Sequence, residues 1–180
     1  MRFRAAGVED AHQVALLHAD SWRRHYRGAY ADSFLDGDVV TERDAVWAGR
    51  LAASGGSATV LAEEGGELLG FVHVDFDRDP GWGSLVDNLH VHHGRQGGGI
   101  GRELMVRAAR AVVDEAGSDA MYLWVLEQNV AAQGFYQAIG GVNVEKAAVP
   151  PPSGDPTRLN GTPSCLRMVW PDASRLMSDR

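Results

Sequence analysis

The chain of 180 residues carries a formal charge of −7, with 44% hydrophobic and 23% charged residues. That is too apolar for a disordered segment and long enough for one domain with a real core. The acidic balance argues against a broad nucleic-acid footprint and against binding to anionic lipid. Cys165 is the only cysteine, so no intrachain disulfide forms. Met1 to Arg4 lack the apolar core of a secretory signal, and no apolar run is long enough to span a bilayer. These features predict a cytoplasmic enzyme or binding domain, with residues 1–170 as one domain and 171–180 as a polar tail.

In chain order, residues 1–5 read as a strand. Asp10 followed by Gln13 predicts a capping box opening a helix to about Arg24. A loop from Gly28 to Val40 follows, and Thr41 is expected to cap a second helix in which Trp47 and Leu51 stack at i, i+4. After Gly55-Gly56 the period changes. Residues 58–62 and 68–76 read as a hairpin turning at Glu64 to Glu67, and a third strand runs from Leu85 to Val91 after the Asp79-Pro80-Gly81 turn. From Gly99 to Ala116 an apolar stripe of Ile100, Leu104, Ala108 and Ala111 opposes Arg102, Arg107, Arg110 and Asp114, so this is an amphipathic helix. Residues 121–126 form another strand, and 129–139 a short helix closed by Gly140-Gly141. A strand begins at Val142, a loop rich in Pro, Gly and Ser spans 150–163, and residues 166–170 make a last strand. The prediction is an α/β (α+β) fold around a mixed sheet of about six or seven strands with about four helices.

The chemistry centres on Leu89-His90-Val91 running into Gln96-Gly97-Gly98-Gly99-Ile100-Gly101 and then a helix. A strand entering a glycine-rich turn at a helix N-terminus offers unpaired amides and the positive end of a helix dipole, which suits a phosphate or diphosphate. A Walker A loop is excluded because Arg102-Glu103 follows Gly101 where Lys-Ser or Lys-Thr is needed. The dinucleotide spacing Gly-x-Gly-x-x-Gly also fails, ending on Arg102 or Leu104. What fits is Gln/Arg-x-x-Gly-x-Gly/Ala, filled by Gln96, Gly99 and Gly101.

With its flanking strand and helix, this turn resembles motif A of the GNAT superfamily of N-acyltransferases. Downstream, Asn129-Val130-Ala131-Ala132-Gln133-Gly134-Phe135-Tyr136-Gln137-Ala138-Ile139-Gly140 is similar to that superfamily's motif B. The two occur in the family's order, and the resemblance covers Met1 to about Trp170. It departs in two places. Many relatives carry a glutamate near the start of the strand before motif A, where Leu85 stands here, and an aromatic after the last motif-B glycine, where Gly141 stands.

The resemblance implies transfer of an acetyl group from acetyl-CoA directly to an acceptor amine, of a small molecule or a peptide, through a tetrahedral intermediate. It implies that the strands before the two motifs splay apart around the pantetheine arm. Leu89, His90 and Val91 would then supply a hydrogen-bonding edge, the amides of Gly97 through Arg102 (Gly97, Gly98, Gly99, Ile100, Gly101, Arg102) a diphosphate cradle behind Gln96, and Asn129 a further contact. Tyr136 matches the family's general acid, whose phenol protonates the departing thiolate; the plainer reading is a core aromatic beside Phe135. For the general base, Asp87 comes first because it shares strand parity with Leu85, Glu127 second, and solvent access third. Dimers are common among relatives.

His90, His92 and His93 invite a metal reading, but no Cys or acidic ligand follows at metal-site spacing, so no metal is expected. Trp22, Tyr26 and Tyr30 lie where relatives line the acceptor site, as a cation-binding wall or as simple packing. His73 shares a strand face with Asp75 and is a further acceptor-side candidate. Two other functions fit the same residues: a transferase for another acyl group or acceptor, and a non-catalytic acyl-CoA-binding or regulatory module.

Overall fold

The computed structural model describes residues 1–178. Seven strands form one mixed sheet: β1 (Arg2–Ala5), β2 (Ser57–Glu64), β3 (Glu67–Asp79), β4 (Gly83–Val91), β5 (Met121–Leu126), β6 (Val142–Ala148) and β7 (Ser164–Trp170), in the order β1-β2-β3-β4-β5-β7-β6. Six helices accompany it: α1 (Ala11–His25), α2 (Asp32–Asp36), α3 (Val39–Ala52), α4 (Ile100–Glu115), α5 (Val130–Ala138) and α6 (Arg175–Ser178). The β1–β4 meander is antiparallel, β5 joins β4 in parallel, and β7 returns antiparallel between β5 and β6. A parallel partner needs a crossover, and α4 supplies it. Among the described residues no helix is long and apolar enough to cross a membrane.

Each face of the sheet buries one helical stripe. Leu104, Met105, Ala108, Ala109 and Val112 of α4 pack with Val72, Val74, Met121 and Leu123. On the other face α1 and α3 bring Val14, Leu17 and Trp47 onto Leu61 and Phe71. Trp47 is fully buried, and its indole N–H donates to His18 Nδ1 at 3.0 Å, so the large ring buries no unpaired donor.

Several expectations need correction. Two of the six helices are short and were not predicted: α2 lies inside the expected 28–40 loop, and α6 inside the expected tail. Residues 171–178 are anchored, because Ala173 and Leu176 are buried in the α4 core and the Ala173 amide donates to the Asp119 carbonyl. Thr41 is not a cap; α3 starts two residues earlier behind Asp38. At α1 the capping logic is displaced by one short turn. Asp10 ends a 3-10 turn and accepts from the Gly7 amide at 2.7 Å, while Gln13 donates to its other oxygen. The Gly141 departure has a steric cause: a Cβ there would lie 2.7 Å from the Trp170 ring and 2.9 Å from the Tyr136 carbonyl oxygen, so the position has no room for a side chain.

Candidate active site

One break in the sheet makes the site. β4 and β5 pair only at Ser84–Met121 and Leu85–Tyr122, after which β5 pairs with β7 alone. The β3–β4 register passes from Val74–Val86 to His73–Asn88, leaving Asp87 as an unpaired bulge residue two positions beyond Leu85, the last β4 residue paired with β5. A bulge bends its strand and increases its twist, which carries the rest of β4 away from β5. Between them opens a cavity of about 560 Å³, walled by Val86 to Val91, by Leu123 to Leu126, by α1 and by α5.

One end of the cavity is the glycine-rich turn. Gln96, Gly97, Gly99, Ile100, Gly101 and Arg102 line it, and Gly98 does not. Gly99 is the N-cap of α4 with φ +84°, a left-handed conformation that side chains with a Cβ avoid. No side chain caps the helix, so first-turn amides that a helix cannot pair internally face this end of the site. A Cβ on Gly99 would meet nothing within 4 Å, so glycine is there for its backbone angle and for the room it leaves a ligand. Leu89, His90 and Val91 continue the wall from the turn inwards. Asn129 caps α5 by accepting from the Ala132 amide at 3.2 Å and also lines the cavity.

At the inner end Tyr136, Tyr26 and Asp87 converge. Tyr136 is 9% exposed, and its ring stands edge-on to Trp170 at 6.1 Å. Its hydroxyl has no hydrogen-bond partner among the described residues and is not one of the sealed, unpaired polar atoms, so it opens on the cavity. Burial, and secondarily the nearby Tyr26, push its pKa above the usual phenol value. Tyr26 is pushed up to about 12 by burial and by the Asp87 carboxylate. Arg50 of α3 holds that carboxylate at 2.5 Å with one nitrogen and Asn88 Oδ1 at 2.7 Å with another, so both residues of the bulge are fixed to α3. Among the described residues Asp87 is the one carboxylate in the cavity wall, whereas Arg95 and Arg102 stand at the turn end.

Besides Gly98, the sequence candidates Glu127, Trp22, Tyr30, His73 and His92 lie outside the wall. Glu127 stands one residue past the end of β5 but turns away, and its carboxylate accepts from Lys146 at 2.8 Å on the exposed side of β6. Trp22 and Tyr30 form an aromatic cluster behind Tyr26, with ring centres 5.0 Å apart. His73 is buried between Thr59 Oγ1 at 2.7 Å and Asp75 at 3.2 Å. His92 lies beyond the end of β4, where its Nδ1 accepts from the Gly94 amide, so it does not share a strand face with His90. Conversely, Ser21, His25 and Trp124 line the cavity and were missed. Ser21 and His25 stand at i, i+4 on α1, a helical spacing that could have paired them.

The sequence profile of the Acetyltransferase (GNAT) family matches residues 19–140. The chain belongs to this family. The uncharacterized N-acetyltransferase YuaI of Bacillus subtilis (strain 168) is 30% identical over 180 residues, covering 96% of this chain and 94% of its own. Among solved structures, the PaiA N-acetyltransferase of Thermoplasma acidophilum in complex with coenzyme A superposes with a TM-score of 0.71 at 15% identity, over 94% of this chain and 98% of that one. YncA of Salmonella typhimurium, a putative acetyltransferase with its cofactor acetyl-CoA, gives 0.68 at 18% identity, over 95% and 93%. The protein is thus an acetyltransferase of the GNAT fold.

Proposed function

We propose that this GNAT enzyme takes its acetyl group from acetyl-CoA and transfers it to a primary amine of a small molecule or peptide. The observation that carries the reading is one continuous cavity. It joins an uncapped helix N-terminus behind Gly99 to the hydroxyl of Tyr136 along a strand edge that β5 has left unpaired. The turn suits the diphosphate, and the free edge of β4 suits the pantetheine amides as an added strand would. Acetyl-CoA brings an activated thioester; the residues of this chain orient it and move protons. Tyr136 Oη donates its proton to the departing sulfur, and burial keeps the phenol protonated across the working pH range. Asp87 attracts a cationic acceptor and accepts its proton, with Tyr26 and Trp124 as the wall beside it.

A mass-spectrometric screen of amines, amino acids and peptides with acetyl-CoA tests this, read together with thiol release. Acetylated amines are the expected result. Acetylation of hydroxyl acceptors alone would change the acceptor class. Coenzyme A binding without turnover on any acceptor would favour a non-catalytic binding module.

A further inference from the structure

His90 has a second, unassigned capability. Its ring is 8% exposed and lines the cavity, with Nδ1 2.7 Å from Ser21 Oγ of α1. Nε2 has no partner among the described residues. The sealed polar atoms left without partners belong to Arg158 and Arg167, so Nε2 is not shut in and opens on the cavity. The ring cannot swing away, because it lies against His18 at 4.6 Å and Phe71 at 5.3 Å between ring centres. Burial, with His25 and Arg43 nearby, lowers its pKa to about 3, so at neutral pH it is an uncharged imidazole.

An uncharged imidazole is one donor and one acceptor. The Ser21 hydroxyl can give a proton to Nδ1 or take one from it, so Nε2 faces the cavity either as N–H or as a lone pair. A secondary amide answers both, with its C=O or its N–H. The position is right for such a group. A ligand whose diphosphate sits at the turn must run back along β4 to reach Tyr136. On β4, His90 precedes the turn and stands three residues, about 10 Å, beyond Asp87.

We infer that the His90 side chain, positioned by Ser21, hydrogen-bonds an amide of the pantetheine arm and so separates coenzyme A from other ligands that carry only the nucleotide diphosphate. This rests on the acetyl-CoA reading above. Once the arm displaces water, an unmatched Nε2 would be left buried and unpaired, which is how a polar site rejects a ligand lacking the matching group.

Calorimetry with coenzyme A and with ADP tests it on the wild type, His90→Asn and His90→Gln. Asparagine keeps an atom near Ser21 and deletes the group at Nε2; glutamine restores a polar group at that reach. Expected is about a tenfold loss of coenzyme A affinity in His90→Asn with ADP changed less than about twofold, and recovery of most of it in His90→Gln. Unchanged coenzyme A affinity in His90→Asn, or an equal loss for ADP, overturns the inference. Wild-type protein that binds neither ligand sinks the coenzyme reading itself. Should the variants fail to fold, ¹⁵N NMR of the wild-type histidines decides: the His90 Nε2 resonance should move with coenzyme A and stay with ADP, and a resonance that ignores both overturns the contact.

Discussion

Replacing Tyr136 by Phe removes one oxygen and little else. The hydroxyl makes no hydrogen bond among the described residues, and the ring contacts with Trp170 and Phe135 survive, so the variant should melt within a degree or two of wild type. What disappears is the Tyr136 phenolic proton at the inner end of the cavity, where the Tyr26 phenol and the Asp87 carboxylate also stand. A general acid is worth roughly 10²–10⁴-fold in rate. Tyr136→Phe should lower kcat by that factor, about 3–5 kcal/mol of barrier, with KM for acetyl-CoA changed less than about threefold. Because burial raises the phenol pKa, the wild-type rate should show no loss from Tyr136 ionisation as pH rises towards about 10. The assay is thiol release from acetyl-CoA with an acceptor found in the amine screen, repeated with a thioester whose leaving thiol is more acidic. The deficit should shrink with that thioester, since its thiolate needs less help. Wild-type kcat in the Phe variant would refute the role and leave Tyr136 as packing, and a loss confined to KM would make it a binding group.

Other substitutions probe the rest of the site and the fold. Gly99→Val places a β-branched residue at φ +84° and should weaken coenzyme A binding by at least tenfold, about 1.4 kcal/mol; unchanged affinity by calorimetry in a folded variant would mean that the turn is not the diphosphate cradle. Asp87→Asn should abolish or move by a unit or more the acidic limb of the kcat/KM profile. An unaltered profile would hand the proton to solvent, since Glu127 lies outside the cavity wall. Asp10 is buried and held at about 2, first by the Arg4 hydrogen bonds, against an unfolded value of 3.8. A depressed pKa contributes stability above the unfolded value, so that share should fade as pH drops from about 4 towards 2, and Asp10→Asn should cost on the order of 1–2 kcal/mol at pH 7 in denaturant melts. Equal stability of Asp10→Asn and wild type at pH 7 would show that the Arg4 contact contributes nothing.

How much was legible beforehand follows from the range of the interactions involved. The α4 stripe, the hairpins and the glycine-rich turn are local: each is written in residues a few positions apart, and a period of 3.6 or 2 exposes them. The same holds for motif B, which puts Tyr136 on the cavity wall together with the turn. The sequence by itself therefore determined the sheet, the crossover helix and the two ends of the cavity. The bulge at Asp87 depends on which β3 residue pairs with which β4 residue, and no run of nine residues encodes a partner in another strand. That bulge, not simple parity with Leu85, sends both Asp87 and Asn88 to Arg50. Glu127 and Lys146, Ser21 and His90, and Gly141 and Trp170 are likewise pairs between distant parts of the chain. Glu127 follows a strand in the right place to serve as a base, and only the position of β6 decided that its carboxylate turned outward. Local propensity fixes which elements form, but long-range packing decides which polar atoms are left unpartnered, and on those atoms the chemistry depends.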